Sequence, residues 1–329
     1  MLQPLNAQDY TPSLESVFID VRSLAEFAGG HIPSAINIPL FSNEERAAVG
    51  TIYKQNGSQA AIKAGLLMVS LSRLTKAAET HINNSQEVVI YCARGGMRSQ
   101  SIGHLYHLLG YNVRLLKGGY KSYRNWVRAR FELPYNIIIL SGKTGSGKTE
   151  VIARLQQAGA MAIDLEKLAR HKGSVFGGLQ STQPTQEHFE NLLAQELFFS
   201  KDEKLFLEDE SRFIGRIRIP DALFNRMTLS KALVVEDTYE GRMKRILKVY
   251  SSFPKEAIKK ALICLNKQLG GERLNIALHY LATDQYEEGT KLMLAYYDRK
   301  YEYGIAQREA ADGIIGHLPF DAPIDNYIN

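Results

Sequence analysis

The sequence predicts an α/β protein: a first domain with a parallel sheet covered by helices on both faces, a second α/β domain, and a mainly helical C-terminal part. Three observations carry that prediction. Through residues 1–130, short β-branched runs alternate with helix-compatible stretches, as in a parallel sheet whose crossovers are helices. At Leu133-Pro134 the pattern halts, because proline disfavours helix in the residue before it, and a second alternation starts at YNIIILSG. From Pro254 onward helical patterns dominate. The expected domains are 1–132, 133–253 and 254–329, the last packed on the second.

Taken in order, SVFIDVR is a β-branched run ending in a charged pair and reads as a buried parallel strand. SAINIPL is a second strand, and a proline-free helix is expected over 59–78. EVVIYC is a third strand, followed by a loop and a helix over 98–109. GYNVRLL is a fourth, and GGY ends it before a helix around 121–131. In the second alternation YNIIILSG is a strand, GKTGSGKT a loop, and a helix runs to about residue 157. AMAIDL, KLFLED and KALVVED supply three more strands, and GIIGHL adds one near the C-terminus.

Composition sets limits. No apolar run is long enough to span a bilayer, and MLQPLNAQDY lacks the basic start and apolar core of a signal peptide. Two cysteines give no disulfide framework. The expectation is a cytoplasmic chain whose thiols stay reduced. The net charge of +5 is unevenly spread: residues 1–130 carry 14 Lys/Arg against 8 Asp/Glu. Between 88 and 130 the only charged residues are basic, namely Arg94, Arg98, Arg114, Lys117, Lys121, Arg124, Arg128 and Arg130. Such a stretch is an electrostatic footprint for phosphate or a nucleic-acid backbone.

That segment contains YCARGGMRSQ, and Cys92 ends its strand. Thiolate is the reactive form of cysteine, and oriented N–H groups or positive charge favour it. Gly95 and Gly96 let successive amides converge on an anion, the following helix adds its positive end, and Arg94 or Arg98 can neutralise charge. Cys264, on the helical stripe of Ile258, Ala261, Leu262 and Leu265, is expected to be a packing thiol.

Two stretches, FIDVRSLAEFAGGHIPSAINIP and VVIYCARGGMRSQSIGHLYHLLGYNVRLLKGGYKSY, resemble the rhodanese domain. The match includes Asp20, Arg22, Glu26, His31, Ile32, Pro33, Ala35, Asn37 and Pro39, then Cys92, Arg98, Ser99, Gly118 and Gly119. The resemblance implies a rhodanese-like first domain in which Cys92 accepts sulfur or selenium. The six residues 92–97 match the short loop of sulfur-handling members, not the longer loop of related phosphatases. Asp20, Arg22 and Glu26 are expected to be scaffold.

GKTGSGKT satisfies G-x-x-x-x-G-K-[ST] between a strand and a helix, the context a phosphate loop requires. Gly142, Lys143, Thr144, Gly145, Ser146 and Gly147 wrap the anion. Lys148 reaches its terminal charges, and Thr149 can hold magnesium if a metal is used. Asp164, Glu208 and Asp209 close strands and are metal or phosphate partners by position, as are Glu236 and Asp237. Arg212 belongs to the dense polar cluster after Asp209, and Arg242 either clamps phosphate or pairs with an acid.

Beyond the two loops, the chain resembles the family of tRNA 2-selenouridine synthases. The segments are NEERAAVGTIYKQNGSQAAIKAG, LARHKGSVFGGLQSTQPTQEHFENLL, EDESRFIGRIRIP, VVEDTYEGR and AYYDRKYEY, in the family's order. The resemblance implies replacement of sulfur in wobble 2-thiouridine by selenium from selenophosphate, with geranyl transferred from geranyl diphosphate to that sulfur on the way. It implies tRNA, through its anticodon loop, as partner, and no tightly bound cofactor. Arg114, Lys117, Lys121, Arg124, Arg128 and Arg130 are then the candidate tRNA contacts. Tyr120, Tyr123 and Trp126 are candidates for stacking on the base, as are the tyrosines of AYYDRKYEY. Two rivals stay open: a plain sulfurtransferase regulated by its second domain, and an NTP-dependent RNA-binding or kinase-like protein. Oligomeric state is not readable from the residues.

Overall fold

β-Branched strands and capped helices build two separate units in the structure, a computed structural model. It describes residues 2–11, 16–83, 85–172, 182–200, 204–250 and 253–328. One unit comprises Met1–Phe131 with Thr185–Gln195, and the other Glu132–Pro184 with Glu196–Asn329.

In the first unit five strands, β1 (Gln3–Leu5), β2 (Ser16–Asp20), β3 (Ile36–Asn37), β4 (Glu87–Tyr91) and β5 (Asn112–Leu116), form one sheet. Their order is β1-β5-β4-β2-β3, and every pairing is parallel. β4 is central and buried along nearly its whole length, which explains its unbroken VVI run. Ser23 and Glu26 form a reciprocal cap on helix Leu24–Gly29, as do Ser42 and Glu45 on helix Asn43–Met68. The helix expected over 59–78 is the end of Asn43–Met68 plus a second helix, Leu71–His81. The chain breaks where Ser70 caps the second. Ile19, Val21, Ile90, Cys92, Ile102 and Tyr106 share the core.

The second unit has strands β6 (Asn136–Ser141), β7 (Met161–Ile163), β8 (Lys204–Glu208), β9 (Phe213–Ile214), β10 (Ile217–Arg218), β11 (Lys231–Glu236) and β12 (Ile314–Pro319). Its parallel sheet runs β12-β11-β6-β8-β7, with β9 and β10 as a separate antiparallel pair. The C-terminal β12 completes this sheet after helices Lys255–Cys264, Gly271–Ala282 and Tyr286–Ala310. Those helices enclose a core of their own around Ile258, Leu262, Leu274 and Met293. Among the described residues no helix is long and apolar enough to cross a membrane.

Candidate functional site

Each unit places one loop at the carboxyl end of a central strand, where open parallel sheets hold their ligands. In the first unit β4 delivers Cys92 to the floor of a turn that ends at Gly96, the residue before helix Met97–Leu108. Only 3% of Cys92 is exposed. Two glycines make the turn feasible. Gly95 has φ +67°, and Gly119 has φ +59° with its backbone pressed so close that a Cβ would lie 2.3 Å from the Cys92 carbonyl oxygen. Tyr120 N–H donates to that carbonyl at 2.8 Å and Lys121 N–H to the carbonyl of Ala93 at 3.0 Å, so the segment after β5 braces the cysteine loop.

The Cys92 sulfur lies 3.3 Å from the Ser99 hydroxyl, which itself donates to the Gly96 carbonyl at 3.0 Å. Burial pushes the thiol up. The Ser99 hydroxyl, the amides of Arg94 and Ser99, and the Arg98 charge outweigh it, and the net shift is downward. Arg98 is held by Glu26 at 2.7 Å, and Arg94 is exposed. Asp20 and Arg22 form a buried ion pair at 2.6 Å, with Arg22 also over the Tyr120 ring and on the Gly30 carbonyl. The scaffold expectation for Asp20, Arg22 and Glu26 agrees with these contacts.

Several expected surface groups lie elsewhere. Arg124 is a correction: it is buried, bonded to Glu190, Asn191 and the Glu187 carbonyl, and gives no free contact to a nucleic acid. Tyr120, Tyr123 and Trp126 are buried too, the latter two clustered edge-on around Tyr10, so they are core and do not await a base. Lys117, Lys121 and Arg128 are exposed; Arg114 reaches Glu87, and Arg130 lies over Trp126. Cys264 is exposed and not a packing thiol. Helical drift turns its position outward from the stripe.

In the second unit β6 runs into the loop 142–147, and helix Lys148–Gln157 follows. Gly142, Gly145 and Gly147 all have positive φ, and Gly142 faces the Val235 carbonyl so closely that no side chain fits. Lys148 donates to the Gly142 carbonyl at 3.0 Å, with its Nζ 5.2 Å from the centre of the Tyr301 ring. Lys143 pairs with Glu302 at 2.6 Å. Ser146 Oγ is buried with no bonding partner.

The acids separate by role. Glu208 is buried, accepts from Thr149 Oγ1 at 3.2 Å through one oxygen, and leaves the other without a partner. Burial first, then Glu166 and Asp164, hold its carboxyl well above the usual range. Burial and Glu166 likewise push Glu210 up to about 8, against the pull of Lys148. Hard oxygens from Thr149 and the orphaned Glu208 atom are donors that suit magnesium, which takes its remaining ligands from phosphate and water. Asp209 is taken by Ser141 and Arg308, Asp164 caps helix Leu165–Ala169, and Arg212 pairs with Asp221. Asp209 has both its oxygens engaged, whereas Asp164 caps through one oxygen and Arg212 pairs through one nitrogen. Arg242 pairs through its Nη2 with an acid, Asp298, which lies on helix Tyr286–Ala310 and not on its own, and its Nε donates to the Thr144 carbonyl of the loop. Sequence reading missed Arg245, which donates to the Gly145 carbonyl at 2.7 Å and pairs with Asp237. Its place one turn after Arg242 on the same helix is the only local signal. Of LARHKGSVFGGLQSTQPTQEHFENLL, residues 173–181 lie outside the described residues.

Comparison with known proteins adds to this geometry. Residues 2–125 match the rhodanese-like domain, and residues 135–317 match the tRNA 2-selenouridine synthase AAA domain. A tRNA 2-selenouridine synthase of Sulfurovum sp. (strain NBC37-1) is 36% identical, over 87% of this chain and 88% of its own. Among solved structures, the N-terminal domain of a protein from Clostridium difficile 630 is 47% identical. It covers 37% of this chain and 97% of that one, with a TM-score of 0.35. A rhodanese-related protein from Thermoplasma volcanium is 19% identical over 37% of this chain and 91% of that one, with a TM-score of 0.24.

Proposed function

The chain belongs to the tRNA 2-selenouridine synthase family, enzymes of tRNA modification, and from that premise we propose a two-stage exchange on wobble 2-thiouridine. In the first stage the thiocarbonyl sulfur attacks the allylic carbon of geranyl diphosphate, the C–O bond breaks, and diphosphate leaves with the electron pair. In the second, selenium of selenophosphate bonds to the base carbon and the C–S bond to the S-geranyl group breaks, releasing geranylthiol with a proton. Water takes the phosphoryl group as the P–Se bond breaks, and phosphate leaves. Selenophosphate carries selenium already reduced, so the exchange is a substitution without gain or loss of electrons.

The observation that supports this reading is the presence of two distinct anion-holding loops in one chain, one of them with a thiol at its floor. The loop 142–149 is assigned to the diphosphate: its amides and Lys148 offset the charge that grows as the C–O bond breaks. Magnesium on Thr149 and Glu208 would add Lewis-acid stabilisation of that leaving group. The loop 92–97 is assigned to the selenophosphate stage, with exposed Arg94 and the loop amides holding the phosphoryl group. Cys92, whose thiol is lowered there, is assigned the expulsion of the geranylthiol, to which it gives the proton, while Arg98 contributes charge from its place on Glu26.

Nucleoside mass spectrometry of tRNA from a strain lacking the gene tests the assignment. Wild type restores selenouridine. Cys92→Ser is expected to abolish it while leaving S-geranyl-2-thiouridine, and Lys148→Ala to lose both. Full selenouridine from Cys92→Ser would remove the cysteine from the reaction.

A further inference from the structure

Around the phosphate loop, carboxylates neutralise several of the cations. Glu302 holds Lys143, Asp298 holds Arg242 and Asp237 holds Arg245. Lys148 is held differently. Its partners carry no charge: the Gly142 carbonyl accepts from Nζ at 3.0 Å, and the centre of the Tyr301 ring lies 5.2 Å from the same atom. Among the described residues Lys148 forms no ion pair, yet carboxylates are close. Glu208 and Glu210 both feel its charge, which pulls their carboxyls down against the effect of burial.

An ammonium beside a poorly solvated carboxylate is strongly drawn to it. A lysine captured that way has its charge cancelled and offers little to a phosphate. An aromatic face attracts the same ammonium through its quadrupole and adds no net charge, so a cation held there stays whole. Tyr301 suits that task. Burial, with Glu210, Asp209, Glu166 and Glu208 around it, holds its phenol well above the usual range, so the ring does not ionise into a partner for Lys148. Its helix, Tyr286–Ala310, is tied to the loop by neighbours of Tyr301. Asp298 acts through Arg242, whose Nε reaches the Thr144 carbonyl, and Glu302 through Lys143. Residues 298, 301 and 302 are three and four apart and share one face, so these contacts aim the ring.

We propose that Tyr301 is a positioning residue for Lys148: its ring keeps the ammonium away from Glu208 and Glu210, so that its full charge serves the departing diphosphate. The inference rests on the diphosphate assignment of the loop 142–149. It adds the residue that keeps the lysine of that loop out of ion pairs, and it gives Tyr301 of AYYDRKYEY a task other than stacking on a base.

Inorganic diphosphate is the leaving group itself, so its affinity reads what the loop offers the departing charge. Titration calorimetry with it, on the full chain with magnesium, separates the two assignments. Lys148→Met should bind it more weakly than wild type. Equal binding by that variant, or no binding by wild type, removes the loop assignment and the role of Tyr301 with it. Tyr301→Leu should bind roughly tenfold more weakly than wild type, the scale of a desolvated cation–π contact. Tyr301→Phe keeps the ring and should restore affinity to within about twofold of wild type. Tyr301→pentafluorophenylalanine keeps the shape of that ring but reverses its quadrupole, and should bind as weakly as Tyr301→Leu. The comparison of the two rings holds whether or not the leucine variant folds, and packing alone would leave them equal. A fluorinated ring that binds as well as phenylalanine, or Tyr301→Leu with wild-type affinity, overturns the role of Tyr301 while the loop assignment stands.

Discussion

Burial alone would make Cys92 a poor nucleophile, and its neighbours reverse that. Ser99 supplies the largest opposing effect, so alkylation by iodoacetamide should show a pH midpoint below that of an ordinary cysteine. Ser99→Ala should move it upward. The exposed Cys264 must first be changed to serine, because its thiol lies open to the reagent. Glu210 gives a second titration. Its folded carboxyl is raised from 4.5 to about 8, so the folded state binds the proton more tightly than the unfolded chain. Stability from that proton is present below about pH 4.5 and lost as pH rises through 8. Melting of the second unit should therefore fall across that window in wild type, and less steeply in Glu210→Gln. Arg22 and Asp20 make a third case at this scale. Arg22→Met leaves a buried carboxylate unpaired and should cost the first unit about 3–5 kcal/mol in denaturant unfolding.

At the scale of elements, the two loops depend on glycines whose neighbours leave no room. Gly119→Ala would drive a Cβ into the Cys92 carbonyl and the Gly95 amide. It should abolish selenouridine formation and lower the melting temperature of the first unit while leaving that of the second unchanged. Both loops were legible because their information is local: strand, glycines, charged residue and helix start follow within a dozen residues. Strands with β-branched runs, such as EVVIY and NIIIL, were legible for the same reason. The three-residue β1 carries a proline and pairs with β5 across most of the unit, so no window of its own sequence announces it. β9 and β10, two residues each, are too short to show alternation. Ser70 splits a stretch that reads as one helix, because its side chain accepts from the Arg73 amide.

Over the whole molecule, charge and long-range contact decide what sequence could not. Lys117, Lys121 and Arg128 remain available to a tRNA backbone, whereas Arg124 does not. Replacing Lys117 and Lys121 by alanine should weaken tRNA binding and reduce its salt-dependence slope by roughly 1 per residue. Arg124→Ala should leave that slope unchanged and lower stability instead. The partners that fix Arg124 lie more than sixty positions away, and those that fix Lys143 and Arg242 lie 159 and 56 positions away. Such pairings have no signature in any single window, which is why a basic run read as wholly solvent-facing turned out to hold a buried member.

The inclusion of Thr185–Gln195 in the first unit has a genetic consequence. Although the first unit is framed by residues up to Phe131, it is not inherited as one uninterrupted stretch of gene. A single crossover near Pro134 between two related genes would import Tyr120 and Arg124 from one parent and Glu187, Glu190 and Asn191 from the other. Hydrogen bonds link these two sets. Descendants of such an exchange would stay intact only where both parents had kept the same matching surface. The two halves of this chain are thus bound to travel together through recombination, even though each carries its own sheet and its own loop.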